Sequence, residues 1–265
     1  MIKVADLMIT SLDTISAFTL AGAFAYKMDE LQDATIANTQ EKTDITGKQG
    51  RKLGSLKKNK AVTVSGTNGL LSAGLMQSQV GSNFEEKTST SVLYTDYLTV
   101  KDNKATTTYK GVGTAGAEIE ALYVVDGNGV ANKELTQAEA TAAGKFAYAP
   151  DTKTLTFNAS EIEDGTSIVV YYNRNVKGNV LKNESDKYSE KLEFFIDGTA
   201  EDRCGSVYHI QFHIPKGDIS GNFDLAMGGD QTTHAFEIES LAGSCGAGGA
   251  LWECVIFGAN AEDVA

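Results

Sequence analysis

Short runs in which apolar and polar residues alternate at a period of two recur along this chain. In HAFEIES, Phe236 and Ile238 alternate with Glu237 and Glu239, and KLEFFIDG and SVYHIQFHI repeat the pattern. Such alternation is typical of half-buried β-strands, whose successive side chains point to opposite faces. We therefore expect a mainly β fold with a substantial hydrophobic core.

One segment predicts a helix instead of a strand. It reads SGTNGLLSAGLMQSQVG, and the helix is expected at about 68–80. Thr67 or Asn68 would cap its beginning and Gly81 would end it. We therefore expect one helix in addition to the strands.

The N-terminal third predicts a long hairpin. In FTLAGAFAYKM, apolar residues alternate from Phe18 to Met28, which predicts one long strand that runs on towards Asn38. The strand AVTV at 61–64 is expected to return antiparallel to it. Residues 39–58 lie between the two and contain three glycines, so they predict a flexible basic loop at the hairpin tip.

Positive charge is concentrated in that loop. The stretch from Lys42 to Lys60 holds seven of the 23 Lys and Arg residues and one acid, Asp44, a net charge of +6. The rest of the chain carries −18, for a total of −12. A basic segment on one copy can dock on an acidic surface of another, which favours self-assembly; the alternative is a solvated loop without a partner. The candidate contact residues are Lys48, Arg51, Lys52, Lys57, Lys58 and Lys60.

Residues 111–178 read as a separate module. Glycines flank it, FAYAPDTKTLTF predicts a hairpin, and SIVVYYN predicts another strand. Four or five short strands in so few residues predict an immunoglobulin-like β module inserted in a loop. The remaining residues, 1–110 and 179–265, would then form the first domain.

Three patterns faintly resemble chemical sites. His209 and His213 share a strand face and, with Cys204 or His234, could bind zinc, but a polar strand face accounts for them better. The run GSCGAGG lacks the lysine and spacing of a phosphate cradle, so a turn is expected. The Asp126-Gly-Asn-Gly run lacks the further acidic ligands of a calcium loop, so a hairpin turn is expected.

Other classes of function fit the sequence poorly. No nucleophile and base stand in a recognisable catalytic frame, so we expect no enzyme and no cofactor. The net charge and a pI near 4.7 argue against stable nucleic-acid binding. Cys204, Cys245 and Cys254 read as reduced thiols. The apolar stretch at 15–26 is too short to span a membrane, and no signal peptide is expected.

Two segments carry a resemblance to a known family. They read TDITGKQGRKLGSLKKNKAVTVSGTNGLLSAGL and PKGDISGNFDLAMGGDQTTHAFEIESLAGSCGAGGALWECVIFG. In the order of strand, charged loop, short helix and terminal strands, the chain resembles the major tail (tail tube) proteins of long-tailed bacteriophages. The resemblance implies a tail-tube-like β-sandwich or barrel with one flanking helix. It also implies that six copies form a ring and that rings stack into a hollow tube, which is the conduit for DNA ejection.

The resemblance also implies roles for particular surfaces. The basic loop would belong at ring–ring contacts, and residues 111–178 would decorate the outside of the tube. The lumen of such tubes tends to be acidic, so DNA is in transit only. The candidate lumen acids are Glu193, Asp197, Glu237, Glu239 and Glu253.

The implied partners and location follow from the same resemblance. The subunit would self-assemble and would contact tape measure proteins and tail terminator or baseplate proteins. It would be assembled in the host cytoplasm, reside in the tail of the virion and insert in no membrane. Two alternatives stay open: a head decoration or head-fibre protein, and a surface-binding β module that uses Tyr148, Tyr171 and Tyr172.

Overall fold

The structure is a computed structural model of the chain and describes residues 6–226, 228, 233–242 and 249–258. These residues divide into two compact units. The first holds the described residues up to Phe84 and from Leu181 onward, and the second runs from Glu85 to Val180. The predicted insertion was 111–178. The second unit begins earlier because residues 85–99 form a strand that pairs along the unit's own last strand.

The described residues form sixteen strands and one α-helix. In chain order they are β1 (Leu7–Thr19), β2 (Phe24–Met28), β3 (Leu31–Thr46), β4 (Lys52–Asn68), α1 (Ala73–Val80), β5 (Glu85–Thr99), β6 (Lys104–Thr106), β7 (Ile119–Val125), β8 (Ala131–Gln137), β9 (Lys145–Ala149), β10 (Thr154–Thr156), β11 (Ser167–Val180), β12 (Lys191–Asp202), β13 (Val207–Ile219), β14 (Leu225–Ala226), β15 (Thr233–Ser240) and β16 (Glu253–Gly258). The prediction of a mainly β fold is confirmed.

The first unit is built on a nine-stranded antiparallel sheet. Its order is β2-β1-β12-β13-β15-β4-β3, and β14 pairs with β15. Two strands pair with the same edge of β13. β16 pairs with Tyr208–His213, and β15 pairs with Gly217–Ile219. Although β1 and β3 lie towards opposite ends of this order, they approach each other and line a common cavity. The sheet is therefore curled into a half-barrel.

The N-terminal segment forms two strands, so the single strand predicted across residues 18–28 is wrong. The chain reverses where the Thr19 backbone N–H donates to the carbonyl of Ala23 at 2.7 Å. Gly22 supplies the left-handed conformation that this turn needs, with φ of +84°. Alternation could not reveal the turn because the apolar pattern continues through it. Phe24, expected in the buried face, is exposed.

The concave side of the curled sheet holds the core of the first unit. Alternation in β12 and β15 correctly predicts which side chains face inward, because every second residue is buried. The buried cluster consists of Ile15, Ala17, Tyr26, Met28, Val64, Leu75, Leu192, Phe194, Ile196, Ile214, Ile219, Phe236 and Ile238.

The helix α1 is shorter than predicted. It begins after Ser72, whose hydroxyl accepts from the Leu75 backbone N–H at 3.3 Å, and not after Thr67 or Asn68. Those two residues still belong to β4, which pairs with β15 and β3 up to Asn68. The predicted end is confirmed, since Gly81 caps the helix in the left-handed conformation.

The second unit is a seven-stranded sheet in the order β5-β11-β7-β8-β9-β10-β6. Its pairs are antiparallel except β8 with β9. The predicted hairpin is confirmed as β9 and β10, and the predicted turn at Asp126 is confirmed, since its carboxylate accepts from the Asn128 and Val130 backbone N–H groups. The immunoglobulin-like assignment stays a prediction.

Candidate functional site

The hairpin of β3 and β4 continues beyond the sheet as a two-stranded arm, residues 39–61. β4 pairs with β15 only along residues 62–68, whereas β3 and β4 stay paired out to Thr46 and Lys52. Within the described part of the chain, the arm therefore bonds only to itself. Residues 61–64 do return antiparallel to an earlier strand, but their partner is β3 and not residues 18–28. The flexible loop predicted at 39–58 is wrong, because strands carry most of it.

Local sequence explains the shape of the arm. At the tip, the Gly47 backbone N–H donates to the Arg51 carbonyl at 2.7 Å, and Gly50 adopts a φ of +75°. Near the base, Asn59 has a φ of +51° at a register shift, and its amide donates to Glu41 at 2.7 Å. Asparagine tolerates this left-handed conformation better than most residues, so it suits a β-bulge.

The arm carries seven basic residues and two acids, a net charge of +5. Lys52 pairs with Asp44 at 2.7 Å, and Lys58 lies 4.0 Å from Glu41. Both pairs are exposed, so each contributes little to stability. The other candidate contact residues have no acidic partner within 4 Å among the described residues: Lys48, Arg51, Lys57 and Lys60. Most of the positive charge of the arm is thus available to another molecule.

The arm also exposes aliphatic side chains that the sequence analysis missed. Ile45 is 50% exposed, Leu53 60% and Leu56 58%. Ile45 faces Gly54 and Leu56 faces Thr43 in the register, so Ile45 and Leu56 are diagonal neighbours on one face. Aliphatic residues within a lysine-rich segment are the sequence feature that could have indicated this apolar surface. The arm can therefore make apolar as well as ionic contacts.

The five candidate lumen acids all lie on the convex face of the first unit's sheet. Their core-facing neighbours in β12 and β15 are buried, and alternation turns the acids the other way. Register places them together: Asp218 pairs with Lys191 on one side and Glu239 on the other, and His213 pairs with Glu253. The acids are Glu193, Asp197, Glu237, Glu239 and Glu253. That this face lines a lumen stays a prediction.

Some of these acids have partners on the same face. His213 Nε2 lies 2.6 Å from Glu193 Oε1, and His213 Nδ1 lies 3.8 Å from Glu253 Oε2. The His213 ring stacks on Phe195, with ring centroids 4.5 Å apart. Asp197 accepts from the Gln211 side-chain amide at 2.7 Å. The convex face therefore combines fixed carboxylates with aromatic rings.

The half-barrel contains an open cavity of about 530 Å³. Its wall is formed by β1 and β3, and its apolar lining includes Ile9, Leu12 and Ile36. Phe212 and Trp252 complete it, with ring centroids 5.7 Å apart. Leu12, Ile36 and Phe212 also pack on the core, so the cavity is an open extension of the core. We call it the slot.

The sequence patterns that faintly resembled chemical sites form none among the described residues. No group of three or more His, Cys, Asp and Glu in those residues could hold a metal ion. Cys204 and Cys254 are free thiols. Residues 243–248, which include Cys245 and most of the Gly-rich run, lie outside the described residues. Among the described helices, none has the length and apolar character needed to cross a membrane.

Two of the tyrosines expected at a binding surface of the second unit make internal hydrogen bonds. Tyr172 is fully buried and donates a 2.7 Å hydrogen bond to Asp96. The Tyr148 hydroxyl accepts from the Gly111 backbone N–H at 2.8 Å. The Tyr172 hydroxyl also accepts from the Tyr109 backbone N–H at 3.0 Å, so the two tyrosines together hold the loop after β6 on the sheet. The proposed use of Tyr172 as a surface contact is therefore wrong, whereas Tyr148 and Tyr171 are half-buried.

These features define a mainly β protein with a basic arm and a separate acidic face. The chain matches the model of the YomU/Tube protein family over residues 8–250, and it belongs to that family. No curated protein matches the chain. Family membership supports the coarser part of the resemblance, a phage tube-type structural protein.

Proposed function

We propose that the protein is the repeating subunit of a phage tail tube, in which rings of six copies stack into a hollow conduit for DNA. Membership of the YomU/Tube protein family supports this role. The observation that carries it is the arm, residues 39–61, which extends beyond the sheet with a net charge of +5. An element of this kind needs a second surface, and the rest of the chain carries the opposite charge.

The physical argument rests on the weakness of isolated hairpins. A two-stranded ribbon without further packing is marginally stable in water at best. The arm gains no support from other described parts of the chain, so packing between subunits would stabilise it. In the proposed tube the arm lies between successive rings, where its free cations meet acidic residues of the next ring: Lys48, Arg51, Lys57 and Lys60. Lys52 and Lys58 would contribute after exchanging their present partners.

The proposed lumen is the convex acidic face of the first unit. Carboxylates on the wall would repel phosphates, so DNA could slide without binding. Glu237 and Glu239 fit this role best, because their side chains are exposed. Glu193, Asp197 and Glu253 are held by neighbours and would contribute negative charge in fixed positions.

The remaining parts of the proposal concern partners and location. In a tail tube, a tape measure protein sets the length, and terminator and baseplate proteins bind the two ends. We propose these proteins as partners. The subunits would assemble in the host cytoplasm and remain in the virion tail. The second unit, Glu85–Val180, would decorate the outside, and no catalysis is proposed for either unit.

Negative-stain electron microscopy of the purified protein, across series of protein concentration and salt, tests this function. Hollow tubes or six-fold rings are expected. Raising the ionic strength to about 1 M shortens the screening length to about 3 Å and should disperse tubes into smaller species. Trimers or monomers under every condition would contradict the proposal and favour a head decoration or surface-binding protein.

A further inference from the structure

The slot is flanked by two strand edges that lack partners among the described residues. β1 pairs with β12 along its length, but with β2 only along Ile15–Phe18. Its N-terminal half therefore has one free edge. Among the residues that the structure describes, β3 pairs only with β4, so its outer edge is free as well. Both free edges border the slot, which is lined by residues 9–12 of β1 and by Ala34, Ile36 and Asn38 of β3.

Such an opening is chemically suited to an apolar segment. Free strand edges carry unpaired N–H and C=O groups, and folded proteins usually cover them. The floor of the slot is the exposed end of the core, at Phe212 and Trp252. Ile9 on its rim is 51% exposed. Filling the slot would remove apolar surface from water and would satisfy edge groups at the same time.

We propose that the apolar face of the arm of a second copy fills this slot. This inference rests on the proposed function and names the surface that receives the arm. Ile45 and Leu56 are aliphatic, exposed and adjacent on one face of the arm. The arm carries +5, whereas the other residues of the chain carry −17, so net charge attracts the arm of one copy to the body of another.

The arm cannot fill the slot of its own chain. Ile45 lies seven residues beyond Asn38, the last slot residue of β3, along the same extended strand. At about 3.3 Å per residue, that separation is roughly 23 Å, directed away from the slot. The contact is therefore between copies and joins two different surfaces. A head-to-tail contact of this kind repeats from copy to copy instead of closing in a pair, as a stacked tube requires.

Disulfide cross-linking between two tagged copies tests the contact. In a background with Cys204→Ser, Cys245→Ser and Cys254→Ser, one copy carries Leu56→Cys and the other Ile9→Cys. Oxidation of the mixture should give a covalent dimer that contains both tags. The matched control is Ser55→Cys, which places the thiol on the opposite face of the same arm and should cross-link at least about tenfold less.

A second measurement does not depend on thiols. Leu56→Glu and Ile9→Glu replace exposed residues and should leave the circular dichroism spectrum and Tm unchanged. Each should raise the protein concentration needed for assembly by about tenfold, which corresponds to the loss of about one buried aliphatic contact.

The outcomes separate the inference from the proposed function. Tubes that form without the Leu56–Ile9 cross-link, and that tolerate both glutamates, would overturn the inference and leave the tube intact. The cross-link without tubes would support the arm–slot contact and contradict the tube. Neither tubes nor cross-links would contradict both.

Discussion

The imidazole of His213 lies 2.6 Å from the carboxylate of Glu193, across the pair formed by β12 and β13. The same ring lies 3.8 Å from Glu253, so one histidine engages two of the five acids that were expected to line a lumen. Glu237 and Glu239 have no hydrogen-bonded or ionic side-chain partner within the described residues. Of the five acids, these two therefore have the negative charge that is least neutralised by neighbours. Substituting them is the most direct test of the role of the convex face.

Glu237→Lys with Glu239→Lys should convert a wall that repels DNA into one that binds it. Tubes should still form, because both side chains are exposed and outside the arm and slot. Fluorescence anisotropy of a short labelled DNA should report no binding to wild-type assemblies and salt-sensitive binding to the variant. Glu134→Lys with Glu139→Lys, at exposed positions of the second unit, makes the same change in charge. Equal DNA binding by this control would contradict the lumen assignment.

Charge reversal in the arm should abolish stacking. Arg51→Glu, Lys52→Glu, Lys57→Glu and Lys58→Glu together replace attraction between subunits by repulsion. The fold should persist, because all four side chains are exposed and the Lys52–Asp44 pair contributes little. Electron microscopy should then show separate rings or single subunits.

A matched control tests whether the position of the substituted lysines matters, or only the change in net charge. Lys101→Glu, Lys104→Glu, Lys110→Glu and Lys145→Glu make the same change in net charge on the second unit and should leave tube formation unaffected. Unchanged tube length in the arm variant would show that the arm is not the ring–ring contact.

Tyr172→Phe should destabilise the second unit. Its hydroxyl donates to Asp96 at 2.7 Å and accepts from the Tyr109 backbone N–H at 3.0 Å, and both contacts are internal. Leaving those two groups short of a partner should cost about 1–3 kcal/mol. Thermal unfolding measured by circular dichroism checks this, and Tyr97→Phe, at an exposed position, should cause almost no change.

The same tyrosine predicts a loss of stability in alkali. Burial, and then the hydrogen bond with Asp96, raises the pKa of Tyr172 above its ordinary value of 10.0. Because the unfolded chain releases this proton first, stability is fully present below pH 10 and falls as pH rises towards the folded pKa. Denaturant unfolding from pH 8 to 11 should show this decline, and the decline should be weaker in Tyr172→Phe. An identical slope in the two proteins would contradict the assignment.

Gly81→Ala should destabilise the first unit through the end of α1. Gly81 has a φ of +70°, and a Cβ there would overlap the carbonyl oxygen of Tyr188. The expected cost is more than about 1 kcal/mol, or a fall in Tm of at least about 3 °C. Gly54→Ala is the matched control, because a Cβ at Gly54 meets nothing within 4 Å and its φ is not positive. A smaller effect at Gly81 than at Gly54 would contradict the argument.

Alternation predicted the strands that form the centre of the first unit's sheet. In β15 it also placed Glu237 and Glu239 on the face opposite Phe236, because side-chain direction follows directly from a period of two. That Glu193 shares this face with Glu253 depends on the register through β13, which sequence patterns do not encode. The grouping of the acids therefore needed the structure.

The arm and the slot were harder to foresee, for different reasons. Lysine and glycine have low strand propensity, so residues 39–58 predicted a loop, but cross-strand pairing overrides that preference. The slot joins Ile9, Ile36, Phe212 and Trp252, which are far apart in the chain and meet only when the sheet curls. The predicted start of α1 was too early because Asn68 pairs within the sheet, and Ser72 caps the helix instead.

Cryo-electron microscopy of the assembled protein tests the central claim most directly. The account predicts a hollow tube of stacked six-membered rings, with Glu237 and Glu239 facing the lumen and the arm, residues 39–61, spanning the boundary between rings. A solid or closed particle, or a tube whose arms point into solvent and whose convex acidic face is turned away from the lumen, would contradict it.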